Sequence, residues 1–342
     1  MSVALQAGLF ASGALLGGGI AYVAQRSSAR PAQVAVYGVD PNSGVNANPV
    51  SLSPAPAVIP AAPISDALAL SGNPGPVDQL LQQQGYISSY DRRLRHPHWT
   101  AEHLTAASIQ RKPGPDGANR ANSMFTEDGR ISELFRSTNA AYFRSGYDRG
   151  HMVPAADVKS SQAAMNETFL LSNIAPQVGA GMNRDYWAHT EDFVRRLTTK
   201  FDDLYVFTIP LYLPRECSDG KWRVSYEVIG SPPSVSVPTH FAKVILGTGL
   251  KGTESHSLLN KTGLSHSSPV ALGAFVMPNS MIPDSAPLRS FETDVESIER
   301  ASGLELFPAA IKRSARKLCD TVKCEIIVRD FSNANKQLIS HK

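Results

Sequence analysis

Runs of β-branched and aromatic residues give the larger, C-terminal part of the chain its pattern. Leu204 to Ile209 ahead of Pro210, Val235 to Leu246, and Ala271 to Met277 predict strands; Trp222 to Ile229 predicts a fourth and Cys324 to Val328 a fifth. Apolar residues recurring at helical spacing behind polar cap positions predict helices over Ser161–Phe169, Arg184–Lys200, Asp294–Ala301 and Ala309–Leu318. These elements do not alternate as a strict βαβ series. The expected fold is therefore α+β, with a central, largely antiparallel sheet flanked by helices.

Two upstream stretches have a different pattern. The 22 residues from Val3 to Ala24 carry no charge and are followed by Arg26 and Arg30. As a helix they would run roughly 33 Å, the length that crosses a bilayer core, although Gly17, Gly18 and Gly19 weaken it. A positive leading region and an Arg-rich amphipathic pattern are both missing, so an anchor or targeting segment fits better than a secretory signal. Between Pro31 and Val77 lie nine of the 24 prolines, with Asp40 and Asp66 as the only charges. Such a stretch buries too little apolar surface to offset its chain entropy and is expected to be an extended spacer. The organisation is thus an anchor or targeting segment over 1–25, a Pro/Ala-rich disordered linker over 26–77, and a folded domain over 78–342.

Composition narrows the class. With 42% hydrophobic and 18% charged residues in a chain of 342, the bulk reads as soluble and globular, which excludes a multi-span transporter. The 33 basic and 30 acidic residues leave the partner open. Cys217, Cys319 and Cys324 form no C-x-x-C unit, so they are expected as free thiols rather than a disulfide scaffold or a zinc site. No Gly-rich nucleotide loop is present.

The chemistry concentrates in Tyr147-Asp148-Arg149-Gly150-His151-Met152, which sets an acid, a guanidinium and an imidazole within four residues. Taken alone it is equally a turn with an Asp–Arg pair. It continues into Leu171-Ser172-Asn173-Ile174-Ala175-Pro176-Gln177, then Asn183-Arg184-Asp185-Tyr186-Trp187, then Glu191. Pro238-Thr239-His240-Phe241-Ala242-Lys243-Val244 and Phe275-Val276-Met277-Pro278-Asn279 follow in order. Together these motifs resemble the DNA/RNA non-specific endonuclease family with a ββα-metal (His-Me finger) site, and within it the fungal form of the mitochondrial endonuclease G branch. The resemblance runs from about Tyr86 to Asn333.

The resemblance implies a nuclease hydrolysing phosphodiester bonds of DNA and RNA to 5′-phosphate products. His151 falls on the general base, a role that suits a neutral imidazole near pH 7. Asn183 falls on the ligand of Mg²⁺, with Mn²⁺ as a substitute; an amide oxygen suits a hard ion that keeps several waters. The bare sequence reads Asn183 equally as a helix N-cap. Counted at about 100° per residue, Trp187 and Glu191 share a side with Asn183, and the resemblance gives Glu191 the metal's water shell. Arg149 falls on the phosphate-gripping arginine, Arg120 is preferred to Arg111 for a second one, and Asn173 orients a catalytic group. Asp148 is expected to shape the turn.

Two departures from the family pattern stand out: Ile209 in Thr208-Ile209-Pro210-Leu211 replaces the usual glycine, and Gly179-Ala180-Gly181-Met182 is one residue longer than the commonest spacing before Asn183. The resemblance further implies a homodimer and, with the N-terminal segment, membrane contact at the mitochondrial inner membrane or intermembrane space. Two other readings compete. One is a membrane-tethered, non-catalytic binder of nucleic acid or anionic lipid using Arg92-Arg93-Leu94-Arg95. The other is a secreted nuclease of the same family, glycosylated at Asn166 and Asn260.

Overall fold

A computed structural model describes residues 76–111, 117–251 and 270–329. The expectations for residues 1–75 and for Asn260 lie outside them. Among the described residues no helix is long and apolar enough to cross a membrane.

The fold is α+β. Its centre is a seven-stranded sheet in the order β1 (Asp78–Gln82), β2 (Tyr86–Asp91), β3 (His96–Leu104), β6 (Asp203–Leu211), β11 (His240–Thr248), β12 (Ala271–Pro278) and β13 (Arg316–Lys317). All neighbours are antiparallel except β12 and β13. Between β3 and β6 the chain forms α1 (Asn139–Tyr142), β4 (Asp148–His151), α2 (Gln162–Glu167), β5 (Ile174–Gln177) and α3 (Tyr186–Leu197). Short strands β7 (Arg215–Glu216), β8 (Trp222–Arg223), β9 (Val228–Ile229) and β10 (Val235–Ser236) lie between β6 and β11. Among the described residues, three α-helices follow β12: α4 (Val295–Ser302), α5 (Ala309–Ser314) and α6 (Leu318–Thr321).

Strand alternation gives the sheet two buried faces. Ile209, Leu211, Ala242, Val244 and Ala274 point to one, where Val295 and Ile298 of α4 cover them. Leu104, Leu204, Val206, Phe241, Ile245, Phe275 and Met277 point to the other, against Tyr186, Trp187, Phe193, Val194 and Leu197 of α3. Each side chain of this size taken from water contributes about 1.5–3 kcal/mol, so α3 is fixed to the sheet along its length.

Several elements differ from the sequence reading. Pro238 splits the expected Val235–Leu246 strand, and Trp222–Ile229 forms two short strands rather than one. Cys324–Val328 pairs with no strand; Arg316–Lys317 takes the sheet edge instead. Strands β1 to β3 carried no legible signal. The helix expected over Arg184–Lys200 runs over Tyr186–Leu197, and that expected over Ala309–Leu318 stops at Ser314. Cys319 and Cys324 form a disulfide, which corrects the free-thiol expectation for these two; the turn of α6 brings their Cα atoms to 5.1 Å, and Cys217 stays free. Ile209 sits inside β6, buried, where strand backbone suits a β-branched residue and no glycine is needed.

Candidate active site

The candidate residues gather on a small ββα unit formed by β4, β5 and α3. β4 and β5 pair in register, Asp148 with Gln177 and His151 with Ile174. Gly150 is required there because a Cβ at that position would run into the Gln177 side chain, which is fully buried. After β5, the extra residue in Gly179–Asn183 is absorbed by a wide turn. Asn183 N–H donates to Val178 O at 2.9 Å, and Gly181 takes φ +77°, a conformation that favours glycine. Asn183 therefore lies in the turn before α3 and does not cap the helix, whose N-cap position is Asp185.

His151 ends β4 and is 8% exposed, and its Nε2 has no protein partner. Its ring lies 4.7 Å from Phe169, edge-on, and 5.3 Å from Phe125. The same two rings carry both arginines: the Arg120 guanidinium sits 5.2 Å from the Phe169 centroid and that of Arg149 4.3 Å from Phe125. Asn139 Oδ1 accepts from Arg149 Nη1 at 2.7 Å, while its own amide donates to Phe125 O. Burial, reinforced by the Arg120 charge, pushes the His151 imidazole well below its usual range, which keeps it neutral and able to accept a proton.

Asn183 is tied to the catalytic strand through Asp148. Asp148 Oδ2 accepts from Asn183 Nδ2 at 2.9 Å and from Arg184 Nε at 2.7 Å. Partial burial alone would raise the Asp148 carboxyl, but the hydrogen bonds from Arg184 and Asn183 outweigh it and hold the group below its ordinary value. With Nδ2 held by a carboxylate, the amide oxygen of Asn183 is the end left for a cation. Among the described residues no group of three or more His, Cys, Asp or Glu could hold a metal. This donor set fits a hard divalent ion that keeps most of its waters better than an ion needing an all-protein cage.

Glu191 lies partly buried on α3. Burial pushes its carboxyl up to about 7 against the opposing charges of Lys243, Arg195 and Arg120. Arg120 thus acts electrostatically on both His151 and Glu191. Arg111, the alternative to Arg120, instead donates to Gly117 O. Asn173 is fully buried. Its amide bonds Val153 N, Val153 O and Thr168 O, and its carbonyl accepts from Met152 N, so it clamps the backbone immediately behind His151. The site residues that the sequence did not reveal are Phe125, Phe169, Asn139 and Gln177. Their signal is tertiary: each acts by touching a motif residue, and of the four only Gln177 stands in a motif, where nothing marks its contact with Gly150.

Two of the three rival arginines and the Asn166 side chain have partners within the protein. Arg92 bonds Gln79, and Arg95 bonds Leu134 O. The Asn166 side-chain oxygen accepts from Ser123 and Gln162.

A ββα unit that carries an imidazole, two guanidinia and an amide oxygen has the chemistry that metal-assisted phosphodiester cleavage requires. Consistent with this, residues 64–312 match the DNA/RNA non-specific endonuclease family, and the chain belongs to it. It is an endonuclease of the non-specific type, and the family is metal-dependent. The chain is 47% identical to the Schizosaccharomyces pombe "Nuclease 1, mitochondrial" over 266 residues, 78% of this chain and 77% of that one. It is 46% identical to the Saccharomyces cerevisiae "Mitochondrial nuclease", covering 77% and 76%. Against human "Endonuclease G, mitochondrial" the identity is 39%, covering 72% and 75%. A solved structure of the EndoG/EndoGI complex superposes with a TM-score of 0.63 at 42% identity, covering 73% of this chain and 94% of that one.

Proposed function

We propose that the protein hydrolyses phosphodiester bonds of DNA and RNA with His151 as general base, leaving 5′-phosphates. The observation that carries the reading is the neutral, buried imidazole flanked by two guanidinia on shared aromatic rings, on the strand that also holds Asn183 through Asp148. His151 takes the proton from the attacking water. Arg149 and Arg120 bind the non-bridging oxygens and counter the charge that grows on them; the planar fork suits that task. Asn183 would hold Mg²⁺ or Mn²⁺, and Glu191 would accept hydrogen bonds from the ion's waters. When bound, the ion supplies Lewis-acid stabilisation of the developing negative charge. Asn173 keeps His151 in place through the backbone.

The names of the relatives support a mitochondrial location. The uncharged Val3–Ala24 segment supports membrane contact at the inner membrane or intermembrane space, and the folded domain is read as residues 78–342. Homodimer formation follows from the family resemblance alone. The test is supercoiled plasmid incubated with the full chain in Mg²⁺, in EDTA, and with His151→Ala. Degradation is expected only with the unaltered chain in Mg²⁺, with a loss of about 10²-fold or more for the substitution. Full activity of His151→Ala would remove the assigned base.

A further inference from the structure

The face of the sheet beneath the ββα unit is apolar except for a polar inlay that the cleavage chemistry above does not use. The register aligns Ser88, Thr100, Thr208 and Lys243 in one row across β2, β3, β6 and β11, with Glu102 in the next row on the same face. Lys243 is 1% exposed; its Nζ donates to Thr208 Oγ1 at 2.8 Å and lies 5.0 Å from the Trp187 ring of α3. Glu102 is 5% exposed, and both its carboxyl oxygens are without a protein hydrogen-bond partner. A carboxylate in that position, unpaired and desolvated, is costly; a neutral acid is far less so.

Counting charge sharpens the point. Glu102, Glu191 and Asp157 face Lys243 and Arg195 within electrostatic reach of one another, and Arg120 reaches Glu191 from the site side. Asp157 is already paired with Arg195 at 2.8 Å, both largely buried. One ammonium is then left for two carboxyls. Glu191, partly exposed and on the site, is the better place for the negative charge. The buried Glu102 is the better place for the proton, and burial together with the Asp157 charge pushes its carboxyl well above the ordinary range.

We propose that Lys243 is a positioning residue for the cleavage reaction: a buried ammonium beneath α3 whose charge serves Glu191, with Glu102 beside it as a neutral acid. The proposal rests on the reading of Glu191 given above. It assigns a task to one interior residue, Lys243, that touches neither substrate nor ion.

The test uses the full chain with Mg²⁺ on a fluorescent duplex, recording kcat/KM against pH. Lys243→Met keeps the packing against Trp187 and removes the charge. Its acid limb is expected to move up by about one pH unit or more, so activity at pH 6 falls about tenfold while activity at pH 9 stays within about twofold. Lys243→Arg should restore most of the profile, and Glu102→Gln should leave it within about twofold. An equal loss at every pH for Lys243→Met, or a shifted limb for Glu102→Gln, overturns the proposal. Should Lys243→Met fail to fold, infrared spectroscopy decides: the protonated carboxylic acid band at neutral pH must weaken in Glu102→Gln, leaving only the part that titrates with Glu191, and an unchanged band overturns the proposal. Failure of the underlying reading looks different, since Glu191→Gln would then keep wild-type activity.

Discussion

On the proposed reading, removing Asp148 separates Asn183, assigned to the ion, from the strand that ends in His151. Asp148→Ala deletes the acceptor of three hydrogen bonds, from Asn183 Nδ2 at 2.9 Å and from Arg184 Nε and Nη2 at 2.7 and 3.1 Å. The Arg184 side chain is 65% exposed, so that pair is worth less than about 1 kcal/mol, and the Asn183 bond adds about 1 kcal/mol. The expected stability loss is about 1–2 kcal/mol, a few degrees in Tm. The functional loss should be larger. Without Asp148 the Asn183 amide can rotate and present its nitrogen where an oxygen is needed, and losing the outer partner of a metal ligand typically costs about 10–100-fold in affinity or activity. Titrating Mg²⁺ in a fluorescent duplex cleavage assay should raise the half-saturating concentration at least about tenfold while circular dichroism shows a folded protein. Asp148→Asn keeps one acceptor for Asn183 and should fall between the two. An unchanged Mg²⁺ midpoint for Asp148→Ala would refute the link between Asp148 and the ligand.

Three further outcomes follow from the same geometry. Gly150→Ala drives a Cβ into buried Gln177, so it should cost about 1–3 kcal/mol by overpacking and lower kcat by moving His151; adding Gln177→Ala should recover a measurable part of both in thermal melts and initial rates. The depressed His151 is already neutral below pH 6.5, whereas Glu191, pushed up to about 7, gains its charge as pH rises through that value; kcat/KM should therefore climb through about pH 7, and Glu191→Gln should lose that limb. Arg149→Ala should weaken binding and reduce the slope of log affinity against log salt by about 1; Arg149→Lys, which keeps the charge but not the planar fork, should restore the slope but not the full affinity, as read from fluorescence anisotropy with a non-cleavable duplex.

How much of this was legible in the chain depends on how local each signal is. His151, Arg149 and Asp148 are contiguous, and Asn183 follows at a fixed spacing, so a linear motif shows them. The strands β6, β11 and β12 are legible because both their faces are apolar. Strands β1 to β3 are not, since Ser88, Thr100 and Glu102 point inward where a periodic reading expects hydrophobic residues. Phe125 and Phe169 reveal nothing until the fold brings a guanidinium over each ring. Cys319 and Cys324 read as unrelated because their pairing depends on the turn of α6, which begins where the expected Ala309–Leu318 helix ends and has no signal of its own.

The choice of aromatic rings as arginine supports has an electrostatic logic. Had Arg120 and Arg149 been positioned by carboxylates, each guanidinium would arrive already neutralised, and the added negative charge would repel a phosphate. A phenyl face holds the cation at about the strength of a modest surface ion pair while leaving its formal charge uncompensated. Arg149 keeps the rest of its fork free because Asn139, a neutral acceptor, holds one nitrogen. Burial first, and the Arg120 charge with it, keep His151 neutral, since an apolar pocket and a nearby guanidinium both disfavour an imidazolium. In the proposed reaction Phe169, which carries Arg120, thus serves substrate attraction and base availability together, and replacing it would disturb both.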